Sequence, residues 1–160
     1  ISSGTTRDGL EVFGKMEKGY LLSVDSNWDM YGDGYLSGHY FSEGALREQL
    51  EKAYPGLVFT EEPVENQINM YKRDKVGHIL FLTVGNKTIS GEEFRQLLEL
   101  PSSNFTMQAA DGKIRFLCKG QGHGLGLSQY GGNVLAKEGK SYKEILRYYF
   151  PECGVQKKDY

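Results

Sequence analysis

The stretch Lys119-Gly-Gln-Gly-His-Gly-Leu-Gly-Leu-Ser-Gln-Tyr-Gly131 places a glycine at every second position from Gly120 to Gly126, with one histidine between two of them. It is too rich in glycine for a helix interior and too poor in side chains for a good strand. Alternate glycines let something touch the backbone closely, either another segment of the same chain or a ligand. For a ligand, Gly122, His123 and Gly124, followed by Ser128, Gln129 and Tyr130 at a helix start, offer main-chain amides, an imidazole, a hydroxyl and a carboxamide. That set suits a polar, hydroxyl-rich molecule. For packing, Ser128 is a plain helix cap and His123 a satisfied buried donor. The spacing does not give a dinucleotide loop, and no Lys-Ser/Thr pair follows to make a phosphate loop.

Working outward, residues 128–138 read as a helix that Gly139 closes in the left-handed conformation, and Ser141-Tyr-Lys-Glu144 is a capping box opening a short helix to Phe150. Pro151 ends it. Upstream, Asp111-Gly112 is the strongest hairpin signal and joins strands over 104–110 and 113–118. Ser90-Gly-Glu-Glu93 is another capping box, opening a helix through Leu100. Residues 67–71 and 77–84 read as a strand pair about a polar turn, with Gly85-Asn86 starting another turn. Ser42 caps a helix over 43–54, in which Leu46, Leu50 and Tyr54 recur at helical spacing before Pro55-Gly56 stops it. Leu10-Glu-Val-Phe13 alternates like a short strand, Tyr20-Leu-Leu-Ser-Val24 is a second apolar run, and residues 25–38, with Trp28, read as an ordered loop. The expected class is α+β, a small mixed or mainly antiparallel sheet with three to four short helices in a single domain over residues 1–160.

Composition bounds the function. The 160 residues carry 21 glycines, 11 tyrosines and 8 phenylalanines, and are 39% hydrophobic and 25% charged. This is a globular, aromatic-rich composition rather than a disordered, fibrous or coiled-coil one. A net charge of -2 excludes a strongly basic nucleic-acid binder. The charge is uneven: residues 1–110 hold 10 Lys+Arg against 16 Asp+Glu, and residues 111–160 hold 9 against 5. The C-terminal part is therefore able to face an anionic polymer, or to carry ordinary solvated charge. No apolar run approaches the roughly 20 residues of a membrane-spanning helix. Cys118 and Cys153, the two cysteines, either pair in an exported protein or stay as small buried hydrophobes.

Residues Gly120-Gln-Gly-His-Gly-Leu-Gly-Leu-Ser-Gln-Tyr-Gly131, with Ala136, Gly139, Ser141-Tyr142, Ile145-Leu146 and Tyr148-Tyr-Phe-Pro151, resemble the C-terminal signature of the stage II sporulation protein D family and the related amidase enhancers. Ser2-Ser3-Gly4, Glu11-Val-Phe-Gly14, Tyr20-Leu-Leu-Ser-Val24, Arg73-Asp74, Gly77-His78 and Ser90-Gly91 extend the resemblance over nearly the whole chain. Thr5, Phe13, Leu127 and Gly132 depart from it; at the last, alanine is usual. The loop about residues 27–34 and the helix from Glu43 are least similar. The resemblance implies a peptidoglycan lytic transglycosylase that cleaves denuded glycan strands between N-acetylmuramic acid and N-acetylglucosamine during spore engulfment, or a wall-binding module that activates an amidase. It implies peptidoglycan strands, an engulfment amidase and membrane proteins as partners, and an extracytoplasmic parent anchored at the sporulation septum. Ser2, Ser3, Gly122, His123, Gly124, Ser128, Gln129 and Tyr130 are the expected substrate-binding residues.

The reaction needs one carboxylic acid that protonates the glycosidic oxygen and then accepts the proton of the muramoyl 6-hydroxyl. In the family this glutamate precedes the serine-serine-glycine segment, so the chain is expected to be the C-terminal segment of a longer catalytic domain with its acid upstream. Glu11 is the weak local alternative. Asp25, Asp29, Asp33, Glu61, Glu62 and Glu65 read as solvated loop carboxylates without the apolar surroundings of an acid catalyst. Cys118 and His123, with Cys153, His39 and His78, lack the paired spacing of a zinc site. No cofactor is expected in this chain, although some relatives carry a cysteine and histidine cluster upstream.

Overall fold

The computed structural model describes residues 1–14 and 19–156. Contacts group the chain into two compact units, one formed by Ile1–Tyr35 with Gly120–Tyr160 and the other by Leu36–Lys119. The class is α+β with antiparallel pairing, and the strands divide into two three-stranded sheets.

The unit Leu36–Lys119 holds both sheets. Strand β1 (Leu36–Ser42) leads into α2 (Glu43–Ala53), numbered after a short α1 (Gly9–Phe13); β2 (Ile68–Arg73), β3 (Ile79–Val84) and β4 (Lys87–Ser90) follow. Helix α3 (Gly91–Leu97) and the hairpin of β5 (Phe105–Ala110) and β6 (Lys113–Lys119) complete it. The sheet orders are β1-β6-β5 and β2-β3-β4. Asp111 and Gly112 have φ of 51° and 72°. Two successive positive values are the tight hairpin turn that Asp-Gly specifies. The expected capping box is formed: the Ser90 hydroxyl accepts the Glu93 N–H, and the Glu93 carboxylate accepts the Ser90 N–H. Strand β1 falls largely outside the sequence expectation because Ser37 and Gly38 weaken its pattern. The turn expected at Gly85-Asn86 is a two-residue connection that leads into β4, a strand to which the sequence reading assigns no element. The core of this unit is hydrocarbon: Leu46, Leu50, Leu82, Val84 and Phe94 are all fully buried. Phe94, Phe105 and Phe116 pack with ring centroids 5.4 to 5.8 Å apart.

The unit built from the two ends of the chain is held differently. It contains α1, a 3-10 turn over Asn27–Tyr31, α4 (Gln129–Lys137) and α5 (Tyr142–Tyr149). The residues around Glu11 form a helix and not the expected strand. Asp8 caps it by accepting the Leu10 N–H, and Gly14 closes it at φ 72°; start and stop signals outweigh four alternating residues. The N-terminal segment threads along residues 21–26, with Thr6 N–H on the Val24 carbonyl at 2.9 Å and Ser26 N–H on the Gly4 carbonyl at 2.8 Å. Among the described residues of this unit the fully enclosed side chains are mostly polar: Ser2, Thr6, Arg7, Ser26, Asp29 and Ser128 accompany Leu135 and Tyr149. Buried polar groups are tolerable only when bonded to one another. Here Ser2 and Ser128 bond to Asp29, Ser26 to Tyr149, Thr6 to the Val24 backbone and Arg7 to the His123 carbonyl. Both cysteines are free thiols, Cys118 buried and Cys153 exposed.

Candidate functional site

The glycine-rich stretch forms one wall of a pocket of about 300 Å³ lined by Ser2, Thr6 and residues 121–129 among others. Its conformation depends on the glycines, since Gly120, Gly122, Gly124 and Gly126 have φ of 75°, 85°, 73° and 69°. Side chains rarely adopt such values. The glycines divide in purpose. A Cβ on Gly120 would sit 3.0 Å from the backbone of Ile1 and Ser2, and one on Gly126 would meet Phe150 and Leu21 at 3.3 and 3.4 Å. Gly122 has nothing within 4 Å of that position. Packing and openness to a ligand thus both apply, packing at Gly120 and Gly126 and openness at Gly122.

Arg7 pins the loop. Its N–H donates to the Gly124 carbonyl at 2.8 Å, and its guanidinium Nη1 donates to the His123 carbonyl at 3.1 Å. Gln121 N–H meets the Ile1 carbonyl at 2.8 Å. The His123 ring is exposed, and its Nδ1 accepts the Leu125 N–H at 3.0 Å. A neutral ring so engaged carries its proton on Nε2, which is then a donor.

Behind the pocket lies a buried polar network around Asp29, which is 0% exposed. Its Oδ2 accepts the Ser2 N–H at 2.6 Å, and its Oδ1 accepts the Ser128 hydroxyl at 2.7 Å. Ser128 in turn caps α4 by accepting the Gly131 N–H at 3.2 Å. Beside them the hydroxyls of Ser26 and Tyr149 are bonded at 2.8 Å. Burial, with the nearby Asp29 charge adding to it against the Ser26 bond, pushes the Tyr149 phenol above its ordinary value of 10.0. Charge-assisted bonds to a carboxylate are the stronger kind. One aspartate therefore joins the N-terminal segment, the 3-10 turn and the start of α4.

Of the residues expected to bind substrate, Ser2, Gly122, His123, Gly124, Ser128 and Gln129 line this pocket. Ser3 and Tyr130 are not among its lining residues. The Ser3 carbonyl accepts the Tyr35 hydroxyl at 3.2 Å, and the Tyr130 hydroxyl donates to the Tyr31 carbonyl at 3.3 Å. Glu11 lies in α1 and is likewise not a lining residue. Asp29 corrects the reading of it as a solvated loop carboxylate. Arg7 and Asp29 are the organising residues that sequence reasoning missed: neither sits in a patterned context, and the partners of Asp29 are 27 and 99 residues away. None of the lining residues is a carboxylic acid. Among the described residues no three His, Cys, Asp or Glu side chains gather as metal ligands.

Comparison with known proteins gives the pocket a context. Stage II sporulation protein D of Bacillus amyloliquefaciens is 31% identical over 140 residues, covering 88% of this chain and 39% of that protein. The protein of the same name from Bacillus subtilis is 29% identical over 141 residues, again 88% of this chain and 39% of the relative. Over 88% of its length the chain is homologous to stage II sporulation protein D. It spans about two fifths of the length of these relatives. The amidase enhancer of Bacillus subtilis is 32% identical over 88 residues, 55% of this chain and 12% of that protein. No family model matches the chain.

Proposed function

We propose that this chain is the glycan-recognising part of a sporulation peptidoglycan lytic transglycosylase acting on denuded strands during engulfment. The observation that carries the reading is the pocket itself: backbone groups held open by left-handed glycines, His123 on a loop pinned by Arg7, Ser2 and Ser128 held by Asp29, and the neighbouring Gln129. The polar side chains of this wall are hydroxyls, carboxamides and an imidazole, which offer both donors and acceptors and match acetamido and hydroxyl groups.

In the proposed reaction a carboxylic acid protonates the glycosidic oxygen as the bond from C1 of N-acetylmuramic acid breaks. The 6-hydroxyl of the same sugar then bonds to C1, and the carboxylate takes its proton, so the product ends in an anhydro sugar and no water is consumed. A hydrolase would need a second carboxylate for water or a covalent intermediate. The pocket lining supplies no carboxyl group. In this reading it orients the strand, and the acid comes from outside the lining residues. Peptidoglycan lies outside the membrane, so the reading places the site on an extracytoplasmic, wall-facing domain, with an engulfment amidase and membrane proteins as neighbours. Among the described residues no helix is long and apolar enough to cross a membrane.

The test is digestion of peptide-stripped glycan strands by the complete protein, with mass spectrometry of the released fragments. Anhydro-muramoyl ends that diminish on His123→Ala support the reading; uncut strands or reducing muramoyl ends refute it. The match to an amidase enhancer favours one second reading, a wall-binding module that stimulates an amidase. It expects faster release of stem peptides by the amidase with glycan strands left uncut.

A further inference from the structure

The unit Leu36–Lys119 takes no part in the pocket, yet one face of its β2-β3-β4 sheet is equipped for a ligand. A groove of about 460 Å³ opens there, lined by Thr60, Asn66, Gln67, Asn69, Thr83 and Asn86 with Val58 and Gly85. That volume is within the range of small-ligand sites. Six of the lining residues carry a hydroxyl or carboxamide and none carries a charge.

The floor of the groove continues into an aromatic surface. Asn69 and Thr83 are cross-strand partners, and Phe81 shares a face with Thr83 because it lies two residues away in β3. Between Asn69 and Lys72 the register shifts, so that Met70 and Tyr71 both oppose Leu82. Such a bulge re-aims a side chain. Here it brings Tyr71 parallel to Phe81, with centroids 6.5 Å apart and an interplanar angle of 17°. Tyr71 is 54% and Phe81 42% exposed, and the Lys72 ammonium lies 5.8 Å from the Phe81 centroid. Two large rings left about half exposed side by side are a feature that marks an interaction site.

We propose that this face is a second glycan subsite, taking N-acetylated hexosamine units with a pyranose ring on the Tyr71–Phe81 platform and acetamido and hydroxyl groups in the Asn69–Thr83 groove. The chemistry selects the occupant. A pyranose has an apolar C–H face and a neutral polar rim, and the site presents an aromatic floor beside a neutral rim of amides and hydroxyls. The groove itself holds no cation for an anionic ligand, the Lys72 ammonium standing at the Phe81 ring instead, and an apolar peptide finds too many amides to desolvate. The inference rests on the glycan-strand reading above, and it assigns the inserted unit a share in holding the strand.

The test uses the complete chain, chitotetraose as the probe, and the variants Tyr71→Ala and His123→Ala, each checked by circular dichroism for native structure. Loss of a ring from a stacking platform is expected to weaken binding about tenfold. In amide NMR spectra of the wild-type chain, the tetramer should also shift Asn69, Tyr71, Phe81 and Thr83. This second readout does not depend on a variant that folds. Weaker binding by Tyr71→Ala together with those shifts supports the subsite. Unaltered binding by Tyr71→Ala, with His123→Ala defective, overturns the subsite and leaves the pocket reading standing. The reverse pattern supports the subsite and refutes the pocket reading. No binding by the wild-type chain overturns both. A Tyr71→Ala variant that changes only the molar mass in sedimentation makes the face a contact between proteins and overturns the subsite.

Discussion

Gly131 and Gly132 are neighbours in α4, and replacing each with alanine is expected to move stability in opposite directions. Helix propensity favours alanine by up to about 1 kcal/mol at either position. At Gly132 the new Cβ would lie 3.5 Å from Leu127 Cδ2 and 3.6 Å from Ile145 Cγ2, ordinary contact distances, so the gain survives. At Gly131 it would collide with the Tyr149 hydroxyl and sit 2.5 Å from Ser26 Oγ. Tyr149 is fully buried and its hydroxyl is bonded to Ser26 at 2.8 Å, so the ring has nowhere to swing. Overpacking costs about 1–3 kcal/mol, and parting two buried hydroxyls leaves each unsatisfied at about 1–3 kcal/mol. The two penalties overlap, and after the propensity gain a net loss of about 2 kcal/mol remains for Gly131→Ala. Urea unfolding followed by Trp28 fluorescence reports on this unit, because Trp28 is the sole tryptophan and stands 5.7 Å from the Tyr148 ring. The midpoint should fall by about 1 M for Gly131→Ala and rise for Gly132→Ala. Adding Tyr149→Phe to Gly131→Ala removes the colliding oxygen and should restore more than half of the loss. Equal shifts of the same sign at the two glycines would refute the steric argument.

Asp29→Asn keeps the size of the side chain but turns one acceptor into a donor facing either the Ser2 amide or the Ser128 hydroxyl. A loss of about 2 kcal/mol is expected in the same assay, and an unchanged midpoint would show that the network does not hold the unit. Ser90→Ala should destabilise the sheet unit by about 1 kcal/mol at neutral pH. The Ser90 hydrogen bonds hold the Glu93 carboxyl below its ordinary value of 4.5. A depressed folded-state value means the contribution is full above the unfolded value and is lost as pH falls through the lower folded one. The gap between wild type and Ser90→Ala should therefore narrow in acid to what the Glu93 N–H bond to the Ser90 hydroxyl contributes, and a gap constant with pH counts against the carboxylate half of the box. Burial pushes the Cys118 thiol up to about 11, and a buried protonated thiol is inert. Iodoacetamide should label Cys153 alone in the native protein and reach Cys118 only after unfolding; rapid double labelling contradicts this.

Much of the local structure was legible. Ser42, Ser90, Ser128 and Ser141 each cap the expected helix, and Asp111-Gly112 turns the expected hairpin, because caps and turns are settled by atoms within four residues of each other. Leu10-Glu-Val-Phe13 misled for the complementary reason: alternation over four residues is weak, and the cap at Asp8 and the left-handed Gly14 lie just outside the window. The glycine stretch was recognisable as a place of close approach, but which glycines serve packing and which face open space depended on Ile1, Leu21 and Phe150 coming from elsewhere in the chain.

The sequence by itself determined the helix caps, the hairpin and the family resemblance, since each is carried by residues at short or characteristic spacing. Only the tertiary structure decided that Asp29 is buried, that Arg7 holds the His123 loop, and that Tyr71 lies parallel to Phe81. A carboxylate in a loop reads as solvated until Ser2 and Ser128 are brought to it from 27 and 99 residues away. An aromatic in a strand reads as core until a register shift turns it outward. Local hydrogen bonds need only neighbours in the chain, whereas burial, and with it the meaning of a polar or aromatic side chain, is a property of what the fold packs around it.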